Sequence, residues 1–278
     1  MSARTLDGSR VEPTIRRLEA RIAGYAGRAI VAFSGGVDSS VVLALAARAL
    51  GPSAVTAVTA LSPSYPTGEL EQAAQVAADI GVEHRMVQTH EVEREAYARN
   101  DEMRCYHCKA ELYGVLGAMA AAASPGTAVL AGANADDLHD LRPGLWAGER
   151  AGIRNPLLEE RVGKLAARAI ARSLGLRVAD KPALACLSSR VAPGLRITPD
   201  LLGRIDAAER SVRALGFDLV RVRDRGRTAS IEVAPEEVAR LVGHPELERV
   251  LGMIGVLGWV EVTIDPGGYR QGNGTRLA

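Results

Sequence analysis

The sequence predicts an α/β protein, with a parallel-sheet domain over residues 1–190 and a smaller α+β domain over 191–278. Three observations lead there. From residue 29 short apolar runs alternate with helix-length patterns, the arrangement of βα units around a parallel sheet. An irregular stretch, 176–197, rich in Pro and Ser, then interrupts the alternation. Beyond it the order changes to helix, two strands, helices and a last strand. The 278 residues, 47% of them hydrophobic, suffice for two cores.

The elements follow in order. AIVAF (29–33) reads as the first buried strand and AVTAVTA (54–60) as the second. Between them SSVVLALAARAL (39–50) has helical length and ends at Gly51-Pro52, a stop signal. GELEQAAQVAADIG (68–81) is a helix closed by Gly81, and 84–88 is a weaker strand. Residues 105–123 form a helix, TAVLAGA (127–133) a fourth strand, and KLAARAIARSLG (164–175) a further helix. The second domain opens with the helix PDLLGRIDAAERSVRALG (199–216). Strands LVRVR (219–223) and ASIEV (229–233) follow, and WVEVTI (259–264) is the last strand.

Lys plus Arg (34) nearly cancel Asp plus Glu (33), so no overall positive field favours a nucleic-acid partner, and a small anionic substrate is expected. No run approaches the roughly 18 apolar residues needed to span a bilayer, and residues 1–17 lack an apolar signal core. A cytoplasmic protein without membrane partners is therefore expected. Three cysteines, an odd number, argue for reactive thiols or metal ligation over a disulfide framework.

SGGVDSS (34–40) stands directly between a predicted strand and a predicted helix. Gly35 and Gly36 permit torsions closed to other residues, so successive amide N–H groups can turn onto an anion at the positive end of the helix. Ser34, Ser39 and Ser40 add hydroxyl donors. The lysine of a GxxxxGK[ST] loop is missing, which removes support for transfer of a terminal phosphoryl group. Asp38 would repel phosphate unless Mg²⁺ bridges them, so a metal is implied. GANADDLHDLRPG (132–144) follows the fourth strand, at the end where open α/β sheets hold their ligands. Asp136, Asp137 and Asp140 are candidate Mg²⁺ ligands there, and Asn134 is a candidate nucleotide contact.

The cysteines fall in RCYHCK (104–109) and KPALACLSSR (181–190). Cys105 and Cys108 can ligate one metal or cluster, and Cys186 would complete a three-thiolate face with one open position. Zinc with His107 as fourth ligand uses the same pair. Arg221 and Arg223 alternate on one strand, share a face and suit a substrate phosphate. The alternative for them is a solvated strand face.

SGGVDSS, GANADD with DLRPG, RCYHCK, KPALACLSSR and the tail GYRQG (268–272) together resemble the LarE family, ATP-dependent sulfur transferases that build the nickel-pincer nucleotide cofactor. The loop alone resembles the PP-loop of all ATP pyrophosphatases. The resemblance implies a PP-loop fold of the adenine nucleotide alpha hydrolase type, with ATP and Mg²⁺ as cofactors and cleavage of ATP to AMP and pyrophosphate. It further implies adenylation of a pyridinium biscarboxylate mononucleotide and conversion of its carboxylates to thiocarboxylates. Cys186 stands where one branch of the family has a sacrificial sulfur donor. Cys105 and Cys108 depart from that branch and resemble the three-cysteine, cluster-bearing sulfur transferases. A [4Fe-4S] cluster on Cys105, Cys108 and Cys186 is therefore the expected sulfur carrier. Lys181 or Arg190 would favour the Cys186 thiolate. Glu209 is a candidate base or metal ligand, and the second domain is expected to serve substrate binding and homo-oligomerisation. Competing readings are a tRNA thiolation enzyme, an amidating ligase such as an NAD synthetase, and a non-catalytic nucleotide-binding stress protein.

Overall fold

A computed structural model of the chain describes residues 8–139, 142–182 and 185–270. It divides into two compact units. The first comprises 1–62, 68–90 and 105–184; the second comprises 63–67, 91–104 and 185–278. The second unit thus begins at Ala185 and takes in two earlier segments of the chain. Among the described residues no helix is long and apolar enough to cross a membrane.

In chain order the first unit contains α1 (Gly8–Ala23), β1 (Ala29–Ala32), α2 (Val37–Leu50), β2 (Val55–Leu61), α3 (Glu69–Ile80) and β3 (Glu83–Gln88). The chain then passes through the single turn α4 (Glu95–Ala98) of the second unit. It continues in α5 (Arg104–Ala123), β4 (Ala128–Leu130), α6 (Pro143–Arg150), α7 (Pro156–Glu159) and α8 (Lys164–Ser173). The four strands lie in the order β3-β2-β1-β4, all parallel, with Ala29 in register with Val55 on one side and Ala128 on the other. Side chains alternate between two faces, as the pleat requires. Ala29, Val31, Ala57 and Leu130 pack with α1, α2 and α8, whereas Ile30, Val58 and Val129 pack with Leu112, Leu116 and Ala120 of α5. α2 is buried from Ser39 to Ala47, which explains its continuous apolar character.

β1 has β2 on one side and β4 on the other, so the chain reverses its winding direction there. The loops after β1 and β4 diverge at the carboxyl ends of these strands, where ligands of open α/β sheets bind. A cleft of about 280 Å³ lies at the opposite, amino ends, lined by Arg28, Thr56, Glu83 and Arg85 among others. None of the predicted site residues among those described lines it.

The second unit is built on α9 (Pro199–Arg213), β5 (Val220–Asp224), β6 (Thr228–Val233), α10 (Val238–Val242), α11 (Leu247–Gly255) and β7 (Glu261–Ile264). Pro199 occupies the first turn of α9, and the Thr198 hydroxyl accepts from the Leu201 amide as its N-cap. The sheet order is β5-β6-β7, antiparallel then parallel.

Candidate functional site

The turn after β1 is held open by glycine. Gly35 has φ 70°, and a Cβ there would stand 2.9 Å from the Ala73 Cβ of α3. The loop hydroxyls organise its backbone: Ser39 Oγ and Ser40 Oγ donate to the Gly36 carbonyl at 3.1 and 2.8 Å. Ser39 Oγ accepts from the Ser34 amide at 3.3 Å. The first-turn N–H groups of α2 have no carbonyl partner within the helix, which gives the loop its donors for an anion. The segment after β4 presses close to this turn: a Cβ on Gly132 would meet the Ser39 amide nitrogen at 2.7 Å.

Asp38, in the first turn of α2, is the least satisfied group of the loop. Its Oδ2 accepts from Lys164 Nζ at 2.5 Å and from Asn134 Nδ2 at 3.4 Å. Its Oδ1 is buried with no hydrogen-bond partner. Burial lifts its carboxyl above the ordinary range, Lys164 opposes the lift, and the nearby Asp137 adds to it. A buried, bare carboxylate oxygen at a phosphate-binding turn fits a hard cation such as Mg²⁺. Asp136 and Asp137 are arranged differently. Asp136 Oδ2 accepts from the Lys164 amide at 2.7 Å at the start of α8, and Asp137 accepts from the Asn134 amide at 3.0 Å and from Arg142 at 2.8 Å. Both shape the loop that carries Asn134, while Asp140 lies outside the described residues.

In the second unit Cys186 precedes the short turn Leu187–Arg190. Arg190 is 2% exposed and lies under this turn, donating through Nη1 to the carbonyls of Ala185 and Cys186 at 2.7 and 2.9 Å. Its Nε and Nη2 form a two-point ion pair with Glu209 at 2.8 and 3.2 Å. Glu209 also accepts from Arg213 at 2.7 Å and from the Val222 amide at 3.1 Å. Arg190 therefore holds the backbone of the cysteine turn, and Glu209 holds Arg190. Arg221 and Arg223 are each 7% exposed, which rules out a solvated strand face. Arg223 bonds Glu232 at 3.1 Å and the Ser189 carbonyl at 2.8 Å. Arg221 lies 5.5 Å from the centroid of the Tyr269 ring. Burial, with the charge of Arg190, brings its guanidinium down to about 10, so it stays charged at neutral pH.

Residues 27–186 match the asparagine synthase family model. Over 245 residues, 88% of this chain and 88% of the relative, the sequence is 36% identical to the pyridinium-3,5-bisthiocarboxylic acid mononucleotide synthase of Lactiplantibacillus plantarum. The chain belongs to the LarE family. It is accordingly an ATP-dependent enzyme of the PP-loop class. A protein of Synechocystis is 42% identical over 254 residues, covering 91% of this chain and 94% of its own length. One from Methanocaldococcus jannaschii is 26% identical over 242 residues, 87% of this chain and 90% of its own.

The three cysteines are the residues that the sequence singles out for sulfur chemistry. Cys105 and Cys108 sit on the first turn of α5 in the first unit, and Cys186 belongs to the second. Cys105 and Cys186 are exposed, Cys108 is half-buried, and none is in a disulfide. Among the described residues no three His, Cys, Asp or Glu side chains are grouped to hold a metal ion. Lys181 Nζ pairs with Glu69 at 2.5 Å within the first unit.

Lys164 is the functional candidate that sequence reasoning passed over. It opens an ordinary amphipathic helix, and its bond to Asp38 spans 126 residues of chain. The only local signal is its place at the start of α8, following Gly163. A Cβ on Gly163 would stand 2.8 Å from Asp136 Oδ1.

Proposed function

We propose that this enzyme uses ATP to adenylate carboxylates of a pyridinium biscarboxylate mononucleotide, releasing pyrophosphate, and then converts them to thiocarboxylates. The kinship to a synthase of the bisthiocarboxylic acid mononucleotide supports the substrate class. The observation that carries the chemistry is Asp38, with one oxygen bare and the other on Lys164, in the loop at the carboxyl ends of β1 and β4.

A carboxylate oxygen is a poor leaving group, and adenylation makes it a good one. The substrate carboxylate attacks the α-phosphorus, a new P–O bond forms, and the bond to the β-phosphate oxygen breaks. The amides of residues 36–39 and the Lys164 ammonium hold the departing pyrophosphate where its charge grows. Mg²⁺, held by Asp38, would supply charge neutralisation on the phosphates. Asn134 steadies Asp38, and Asp136 and Asp137 keep the Asn134 loop in place. In the second unit Arg221 and Arg223 serve the phosphate of the mononucleotide, supported by two buried cations on one strand face.

For sulfur, the chain supplies the exposed thiol of Cys186 on a backbone fixed by Arg190. Its thiolate attacks the mixed anhydride, a C–S bond forms and AMP leaves. Loss of the Cα proton then breaks the Cβ–S bond, releasing the thiocarboxylate and leaving dehydroalanine. Glu209 acts as a positioning residue through Arg190. The test is a single turnover by protein purified without oxygen, followed by intact mass and iron analysis. The expected result is loss of the elements of H₂S at Cys186 in step with product. Several products per chain, with iron present and Cys186 intact, would replace this route with the three-cysteine cluster.

A further inference from the structure

Two segments that join elements of the first sheet, 63–67 after β2 and 91–104 after β3, belong to the second unit. They close on the turn that follows Cys186. The Leu187 amide donates to the Ser64 carbonyl at 2.8 Å. The hydroxyls of Tyr97 and Ser188 share a bond of 2.6 Å, and Arg104 donates to the Ser188 carbonyl at 2.9 Å. Asn100, with φ 57°, donates to the Ala192 carbonyl at 2.9 Å. The Ser64 hydroxyl in turn donates to Glu91 Oε1 at 3.2 Å.

Glu91 is 2% exposed, and its Oε2 is buried without a hydrogen-bond partner. Burying a carboxylate with an oxygen left bare is costly, and packing gives no reason for it. Its place does. One serine separates it from the backbone of the residue after Cys186.

The sulfur step proposed above needs a proton acceptor, and the inference rests on that reading. When the Cys186 thioester eliminates, the electrons of the Cα–H bond become the Cα=Cβ bond. The Cβ–S bond breaks, and its electrons leave with the thiocarboxylate. Glu209, the base suggested by sequence, already accepts from Arg190 at two points, from Arg213 and from the Val222 amide. We propose that Ser64 and Glu91 take the proton: Ser64 Oγ receives it from Cys186 Cα as the Ser64 hydroxyl proton passes to Glu91. Ser64 is then the group that touches the reacting atom, and Glu91 orients it and holds the proton.

The test follows one turnover of the full chain with ATP, Mg²⁺ and the mononucleotide by intact mass. Glu91→Gln keeps an oxygen to accept from Ser64 but takes up no proton. The Cys186 thioester adduct should accumulate, with its decay slowed roughly a hundred-fold or more, the scale of a lost general base. Ser64→Ala keeps the carbonyl that Leu187 bonds, and it should stall at the same adduct. Only folded, adenylating protein can form that adduct, so a misfolded variant does not imitate the result. Passage of both variants to dehydroalanine at the wild-type rate would overturn the assignment. So would failure of both to form any adduct, which would make the pair structural. The wild-type protein reports separately on the underlying reading, because product formed with Cys186 intact would remove the elimination step itself.

Discussion

Asp38 is a half-buried carboxylate with one buried oxygen and Glu209 a fully buried one, and the chain treats them oppositely. Asp38 accepts from one lysine and, at longer range, one amide, and its second oxygen is bare. Glu209, 0% exposed, accepts from two arginines and a backbone amide. A carboxylate left short of donors keeps room for a ligand, whereas a saturated one is a fixed part of the fold. On the proposed reading Asp38 serves the chemistry, and Glu209 holds Arg190 under the turn that follows Cys186.

The contrast is broken most severely at Glu209. Glu209→Ala leaves Arg190 buried without its anion and should destabilise the second unit by about 3–5 kcal/mol. Urea unfolding measures this, and a loss below about 1 kcal/mol, the range of an exposed pair, would show that the ion pair is not architectural. Asp38→Ala should do the reverse. Adenylation should fall roughly a hundred-fold or more, as when a group that stabilises developing charge is lost, with folding little changed. Full activity in that variant would end the metal assignment.

The pH dependence of Asp38 sharpens the comparison. Burial raises its folded-state value, so it contributes stability below the ordinary carboxylate range and loses it as pH rises through the raised value. Asp38→Asn should match wild type in acid and melt higher at neutral pH, and melting curves across that range check the sign. Arg223→Ala comes next. It should weaken mononucleotide binding about ten-fold or more, the scale of a hydrogen bond to a charged group, and leave ATP binding nearly unchanged. Equal losses for both ligands, measured by calorimetry, would detach Arg223 from the substrate. The smallest effect belongs to Arg172 and Asp180, whose side chains are 56% and 77% exposed. Arg172→Ala should leave the melting temperature where it was.

What the sequence revealed follows the range over which each feature is encoded. Each expected strand overlaps an observed one, because a βα unit is written in local periodicity. SGGVDSS was legible because a strand and a helix flank it. Helix α1 went unassigned although Val11, Ile15, Leu18 and Ile22 are buried at helical spacing. Its polar composition hid a stripe that only the moment of the pattern reveals. Lys164 could not be found, since its meaning depends on a partner 126 residues away. The membership of 63–67 and 91–104 in the second unit is set by hydrogen bonds to a turn near Cys186, which no local pattern encodes. The strand arginines were ambiguous for the same reason. Alternation allows a solvated face, and only Glu232 and the Ser189 carbonyl explain how Arg223 is buried.

The central claim is that ATP is opened at the α-phosphorus by a substrate carboxylate in the loop that holds Asp38. Exchange of labelled pyrophosphate into ATP tests it most directly. Label should enter ATP only when the mononucleotide is present, and the exchange should vanish in Asp38→Ala. Formation of ADP and orthophosphate with substrate, and no label in ATP, would contradict it.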